Sequence, residues 1–155
     1  MGVVKTLRVY ADTSVFGGCF DEEFEVESLK FFEEVQHGRF LLVISDITTT
    51  ELDRAPQQVQ TLLAGIPTDR VEVVTSSDES RALREAYIEA RVVGRASLND
   101  AGHIAVATVA NVDIVVSWNF KHIVHFEKIG GYEGVNTLNG YRSPKIYSPR
   151  EVVTQ

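Results

Sequence analysis

The sequence predicts an α/β fold in which one mostly parallel sheet is covered by helices on both faces. Three observations carry that reading. Short β-prone runs alternate along the chain with segments of helical period. The run Phe40-Leu41-Leu42-Val43-Ile44 is continuously apolar, as a strand buried on both faces must be. The intervals between runs are long enough to hold the helices that return the chain to the next parallel strand. The 155 residues are the size of one domain, and no repeat, low-complexity stretch or Pro/Gly-rich linker divides them. A single domain over 1–155 is expected.

The elements follow in order. Leu7-Arg8-Val9-Tyr10-Ala11 is β-prone and stops at Asp12. Val26 to His37 places Val26, Leu29, Phe32 and Val35 at helical spacing and ends at Gly38, a suitable C-cap. Phe40 to Ile44, bounded by Gly38 and Asp46, is the second strand. After Ser45-Asp46 a short helix is expected over Ile47 to Arg54, then another over Pro56 to Ala64, with Pro at its first position and Gly65 at its end. Pro67 breaks the chain before a third strand, Val71-Glu72-Val73-Val74. Ser76-Ser77-Asp78 offers caps for a long helix through Val93 that stops at Gly94. Asn99 is the expected N-cap of a helix from Asp100 to Ala110, and Ile114-Val115-Val116-Ser117 is a fourth strand. The tail from Gly130 to Gln155, rich in Gly, Asn and Pro, is expected mostly in loops, with one edge strand near Lys145 to Tyr147.

Composition excludes several classes. Fifteen Lys and Arg against 22 Asp and Glu leave a net charge of −7. That argues against a broad, sequence-independent duplex binder, whose affinity comes from neutralising phosphates with many basic side chains. It does not argue against an enzyme that meets nucleic acid through bound metal ions. The lone Cys19 cannot form an intrachain disulfide, so the chain reads as intracellular and cytoplasmic. With acids crowded over 21–27, Cys19 reads as a small buried residue rather than a nucleophile. The longest apolar stretch, Ile104 to Trp118, is interrupted by Thr108, Asn111 and Asp113 and falls short of the ~20 apolar residues of a membrane span. Lys5 and Arg8 interrupt any signal-peptide core; Met1 to Thr6 matches a myristoylation pattern but runs straight into the first strand.

In an open α/β sheet, ligands bind at the carboxyl ends of the strands. Here those ends are polar: Asp12-Thr13-Ser14 after the first strand, Ser45-Asp46 and a short run to Glu51 after the second, Ser117-Trp118-Asn119 after the fourth, and Asp100 opening the helix that feeds it. Each has an ordinary structural reading. Asp12 could cap a helix, Glu51 could be a solvated face, Asp100 could be a first-turn acid on the helix dipole, and Asn119 a turn residue. Converging on one cleft, they would suit a hard divalent cation such as Mg²⁺ or Mn²⁺, which takes oxygen ligands and shares them with substrate phosphate.

Four segments together resemble the PIN domain family, and within it the small toxin ribonucleases of bacterial type II toxin–antitoxin pairs. They are Val9 to Ser14, Ser45 to Leu52, Asn99 to Ala105, and Asp113 to His122 with its Ser117-Trp118-Asn119-Phe120-Lys121-His122; Gly140-Tyr141 and Pro149-Arg150-Glu151 resemble the family's closing segment. The resemblance implies a three-layer α/β/α fold around a sheet of about five strands, and a Mg²⁺- or Mn²⁺-dependent endoribonuclease acting on RNA. It also implies an antitoxin protein and a homodimer as partners. Carried over, Asp12, Glu51 and Asp100 are the acidic metal ligands, and Asn119 stands where the family has a fourth acid. Asn offers a neutral oxygen there, so a second metal site is expected to be weaker. Ser14 and Ser117 are candidates to hydrogen-bond a carboxylate, a water or a phosphate.

His103, three residues after Asp100, shares its side of the helix and reads as a histidine hydrogen-bonded near the site, since hard cations prefer oxygen. Trp118 and His122 read as packing residues. On the long helix, Arg81, Arg84, Arg91 and Arg95 fall within about a quarter of the circumference. They form either a solvated face or a stripe that guides RNA. The run Asp21 to Glu34 holds seven acids against Lys30; it is either a solubilising face or the place where a partner segment carrying Arg would dock and reach the carboxylates.

Overall fold

Every strand that the periodicity predicts forms, and all of them run parallel. The computed structural model describes residues 5–153, so residues 1–4 of the myristoylation-like pattern lie outside the described residues. Strands β1 (Leu7–Ala11), β2 (Phe40–Ser45), β3 (Val71–Val74), β4 (Ile114–Val116) and β5 (Lys145–Tyr147) make one five-stranded sheet in the order β3-β2-β1-β4-β5. Successive strands step outward from β1 to β3, and the chain then crosses to the other side of β1 for β4 and β5. The order therefore reverses between β1 and β4, and a crevice opens at their carboxyl ends.

Alternation along the strands builds two cores. Val9, Ala11, Leu42, Ile44 and Val116 face a layer made by α1 (Thr13–Gly18), α2 (Glu25–Gln36), α4 (Gln57–Ala64) and α8 (Pro149–Val152). Tyr10, Val43 and Val115 face the other layer, α5 (Asp78–Glu89), α6 (Leu98–Val109) and α7 (Phe126–Leu138). The short α3 (Asp46–Asp53) leaves β2 through a capping box, Ser45 with Thr48, at the crevice end of the sheet.

The structure corrects three expectations about helices. The long helix ends at Glu89, not at Val93. Arg91 takes the left-handed conformation, φ 62°, and the chain closes with Val92 N–H on Tyr87 C=O (3.0 Å) and Arg91 N–H on Ile88 C=O (2.9 Å). This is a Schellman stop, in a sequence without the glycine that usually signals one. Ser97, not Asn99, is the N-cap residue of α6, so Asn99 and Asp100 both lie in its first turn.

The third correction is the tail, which holds the helix α7 despite Gly130, Gly131 and Gly134. Helix α7 is held by its buried side: Tyr132 stacks edge-on to Tyr87 at 4.9 Å, and Asn136 accepts from the Tyr87 hydroxyl at 2.5 Å. Gly131 is needed for contact, because a Cβ there would stand 2.8 Å from Val92 Cγ1.

Candidate functional site

The crevice at the switch point is lined by residues from four elements. Asp12, the first residue after β1, is the N-cap of α1 and is 5% exposed. Both of its oxygens are held by hydroxyls: Ser14 Oγ donates to Oδ1 at 2.5 Å and Ser117 Oγ donates to Oδ2 at 2.7 Å. The two serines are themselves fixed from β4's exit, where Trp118 N–H donates to Ser14 Oγ (2.9 Å) and Asn119 N–H to Ser117 Oγ (2.9 Å). The capping role and the candidate ligand role thus belong to one carboxylate.

Asn119 continues the network to α6. Its Oδ1 accepts from the backbone N–H of Lys121 (3.2 Å) and of His122 (2.9 Å), which orients Nδ2 to donate to Asp100 Oδ1 at 3.1 Å. The carbonyl oxygen that the sequence offers as a neutral ligand is committed to a turn. Asp100 is met by a donor instead.

Glu51, near the end of α3, receives Thr13 Oγ1 at 2.6 Å and His103 Nε2 at 2.7 Å, both on Oε1. His103 is 2% exposed, and its Nδ1 lies 2.6 Å from the hydroxyl of the fully buried Tyr10. Tyr10 and Thr13 are site residues that the sequence reading missed. A tyrosine inside a strand reads as core, and a threonine beside Asp12 carries no signal of its own until β1 and α3 are brought together.

The electrostatics tie the three acids into one cluster. Burial pushes the Asp12 carboxyl above its ordinary value, against His103 and the two serine hydrogen bonds, and Glu51 adds to the rise. Burial likewise raises Asp100, against His122 and His103, with Asp12 and Glu51 adding to the rise. For Glu51 burial also raises, but the hydrogen bond and charge of His103, with Thr13 and Asn99, together outweigh it and leave the carboxyl low. Each acid feels the other two or their shared histidine.

The donor set is the oxygen-only kind that a hard divalent cation takes. Among the described residues, however, no three His, Cys, Asp or Glu side chains are gathered closely enough to hold a metal ion as they stand. Hydroxyl and amide donors occupy several of the carboxylate oxygens. Beside Glu51 a cleft of about 360 Å³ is lined by Asp46, Ile47, Thr50, Arg54 and Asn99. One oxygen of Asp46, Oδ1, is engaged, accepting from Ser76 N–H and Oγ at 2.8 and 2.9 Å.

The four arginines do not all lie on α5. Because α5 stops at Glu89, Arg91 and Arg95 lie beyond it. Arg81 pairs with Asp78 at 2.9 Å and Arg95 with Glu85 at 3.0 Å. Arg84 lies against the helix of Asp100, its Cδ 3.7 Å from where a Cβ on Gly102 would be. Its buried Nε has no hydrogen-bond partner among the described residues and lies 3.9 Å from Glu85 Oε2. Trp118 packs as expected, stacked on Phe24 at 4.2 Å with Nε1 donating to Ser28 Oγ at 2.8 Å.

No protein-family model and no curated protein matches the sequence. Among solved structures, the chain is similar to one from the crystal structure of VapBC2 from Rickettsia felis bound to a DNA fragment from their promoter. The TM-score is 0.58 at 16% identity, over 92% of this chain and 98% of that one. The likeness is one of fold: the five-stranded parallel sheet with order β3-β2-β1-β4-β5 is PIN-like. Among the described residues no helix is long and apolar enough to cross a membrane.

Proposed function

We propose that the protein is a Mg²⁺- or Mn²⁺-dependent endoribonuclease, the toxin of a type II toxin–antitoxin pair, with Asp12, Glu51 and Asp100 as the carboxylates that hold the ion. The observation that carries this reading is the position of Asp12 and Asp100 near the switch point of a PIN-like sheet, where burial raises both and the charge of Glu51 adds to each rise. Acids held that way gain from a cation. A divalent ion there would activate water and offset charge on a phosphodiester, leaving 5′-phosphate and 3′-hydroxyl ends.

The chain's own residues do the holding. Ser14 and Ser117 orient Asp12, Thr13 and His103 orient Glu51, and Asn119 tethers Asp100. Of the four arginines proposed to meet RNA, Arg84 has the best support, since its side chain on α5 lies against α6, the helix that carries Asp100. The antitoxin is proposed to dock a basic, apolar segment in the groove of about 660 Å³ beside α2, lined by Val26, Glu27, Leu29, Glu33 and Arg150. A homodimer and a cytoplasmic location complete the reading.

The direct test is calorimetric titration of the purified protein with Mn²⁺. Saturable binding that Asp12→Asn abolishes is expected. The committed oxygen of Asn119 favours a second reading, a PIN-like module that binds RNA or protein without catalysis. RNA binding with no Mn²⁺ heat would establish that reading and sink the first.

A further inference from the structure

We propose that Tyr10 and His103 are positioning residues that aim Glu51 by holding its Oε1. The inference rests on the nuclease reading above and assigns a role to a buried polar chain that packing does not require.

Tyr10 and His103 are 0% and 2% exposed, in a core layer otherwise dominated by apolar side chains. Two apolar residues would fill the same space without the cost of burying polar groups. These groups instead satisfy one another in a line. An ionised Glu51 only accepts, so His103 Nε2 is the donor across 2.7 Å. On the other side of the ring Nδ1 lies 2.6 Å from the Tyr10 hydroxyl, so both nitrogens are held. The Tyr10 oxygen lies 2.7 Å from Ser45 Oγ, whose oxygen in turn accepts from Ile47 N–H at 3.2 Å. The contacts run without a break from Ser45 through Tyr10 and His103 to Glu51.

The two ends of that line are the two ends of one helix. Ser45 caps α3 and Glu51 lies in its last turn, while His103 belongs to α6, one turn beyond Asp100. The chain of bonds therefore registers Glu51 against the helix that carries Asp100. A glutamate has several rotatable bonds, and Thr13 (2.6 Å) and His103 together fix its outer carboxylate. Groups behind a metal ligand that set its direction typically contribute about 10- to 100-fold in metal affinity.

The test compares two amides of the same chemistry. In His103→Gln the side-chain nitrogen reaches about where Nε2 sits and keeps a donor for Glu51; in His103→Asn it reaches only Nδ1's place and faces Tyr10. With Mn²⁺ binding followed by electron paramagnetic resonance, His103→Asn is expected to lose about 10- to 100-fold in affinity, and His103→Gln to stay close to the parent. Tyr10→Phe, with its circular dichroism unchanged, is expected to lose affinity toward the lower end of that range. In cleavage assays the loss falls on kcat rather than KM. Equal Mn²⁺ affinity of the two amide variants, or a Tyr10→Phe indistinguishable from the parent, would overturn the inference while leaving the nuclease reading intact. A parent that neither binds Mn²⁺ nor cuts RNA would bring down the nuclease reading, and this inference with it.

Discussion

Asp12 joins two demands in one carboxylate, since it caps α1 and also stands buried at the crevice. The pH dependence follows from the direction of its shift. Asp12 and Asp100 are raised by burial, so the folded protein holds those protons more tightly than the unfolded chain does. Their contribution to stability is whole below the unfolded pKa, about 4, and is lost as pH rises through the raised folded values. Glu51 is lowered, and its contribution runs the other way: present above the unfolded pKa and lost as pH falls through the folded one. At neutral pH and without divalent cations, Asp12→Asn is therefore expected to raise Tm, by the few degrees that about 1 kcal/mol produces in a domain of this size. A melting curve shifted downward would mean that the serine hydrogen bonds to the carboxylate outweigh its burial cost. Asn119 shows what a residue letter conceals. The letter promises a neutral ligand oxygen, but the turn at Lys121 and His122 uses that oxygen, and the amide nitrogen meets Asp100.

At the scale of elements, the glycines of α7 separate packing from propensity. Gly131→Ala drives a methyl to 2.8 Å from Val92 and is expected to destabilise by about 1–3 kcal/mol. Gly134→Ala meets nothing within 4 Å and is expected to stabilise by about 0.5–1 kcal/mol. Urea midpoints that move the same way for both would refute the close approach of α7 to Val92. The strands were legible because each is a short apolar run bounded by breakers, and their ends fall within a residue of the pattern. Helix α7 was not legible, since three glycines lower its propensity and only tertiary burial of Tyr132, Val135 and Asn136 compensates. The end of α5 was hidden for the opposite reason: a left-handed stop normally announces itself with Gly, and here Arg91 fills it. That error placed Arg91 and Arg95 on α5. Of the site, the acids at strand ends and helix starts could be read locally, while Thr13 and Tyr10 depend on contacts between β1, α3 and α6.

At the scale of the molecule, the net charge of −7 is not spread evenly. Much of it lies on α2 and the loop before it, where Phe24 stacks on Trp118, while Asp100 feels the charges of Asp12 and Glu51. Such a surface gives little general attraction for a polyanion, so substrate contact on this account depends on local cations and on Arg84. The two cores pack on either side of the sheet, and hydroxyl and amide donors meet Asp12 and Asp100 at its crevice end. The measurement that bears most directly on the central claim is cleavage of a labelled RNA by purified protein in Mn²⁺, in EDTA, and with Asp100→Asn in Mn²⁺. The account predicts cutting in Mn²⁺ alone that leaves 5′-phosphate ends, with loss of at least about 100-fold in rate, roughly 2.7 kcal/mol, in the other two. Equal cutting in EDTA, or full activity of Asp100→Asn, would contradict it.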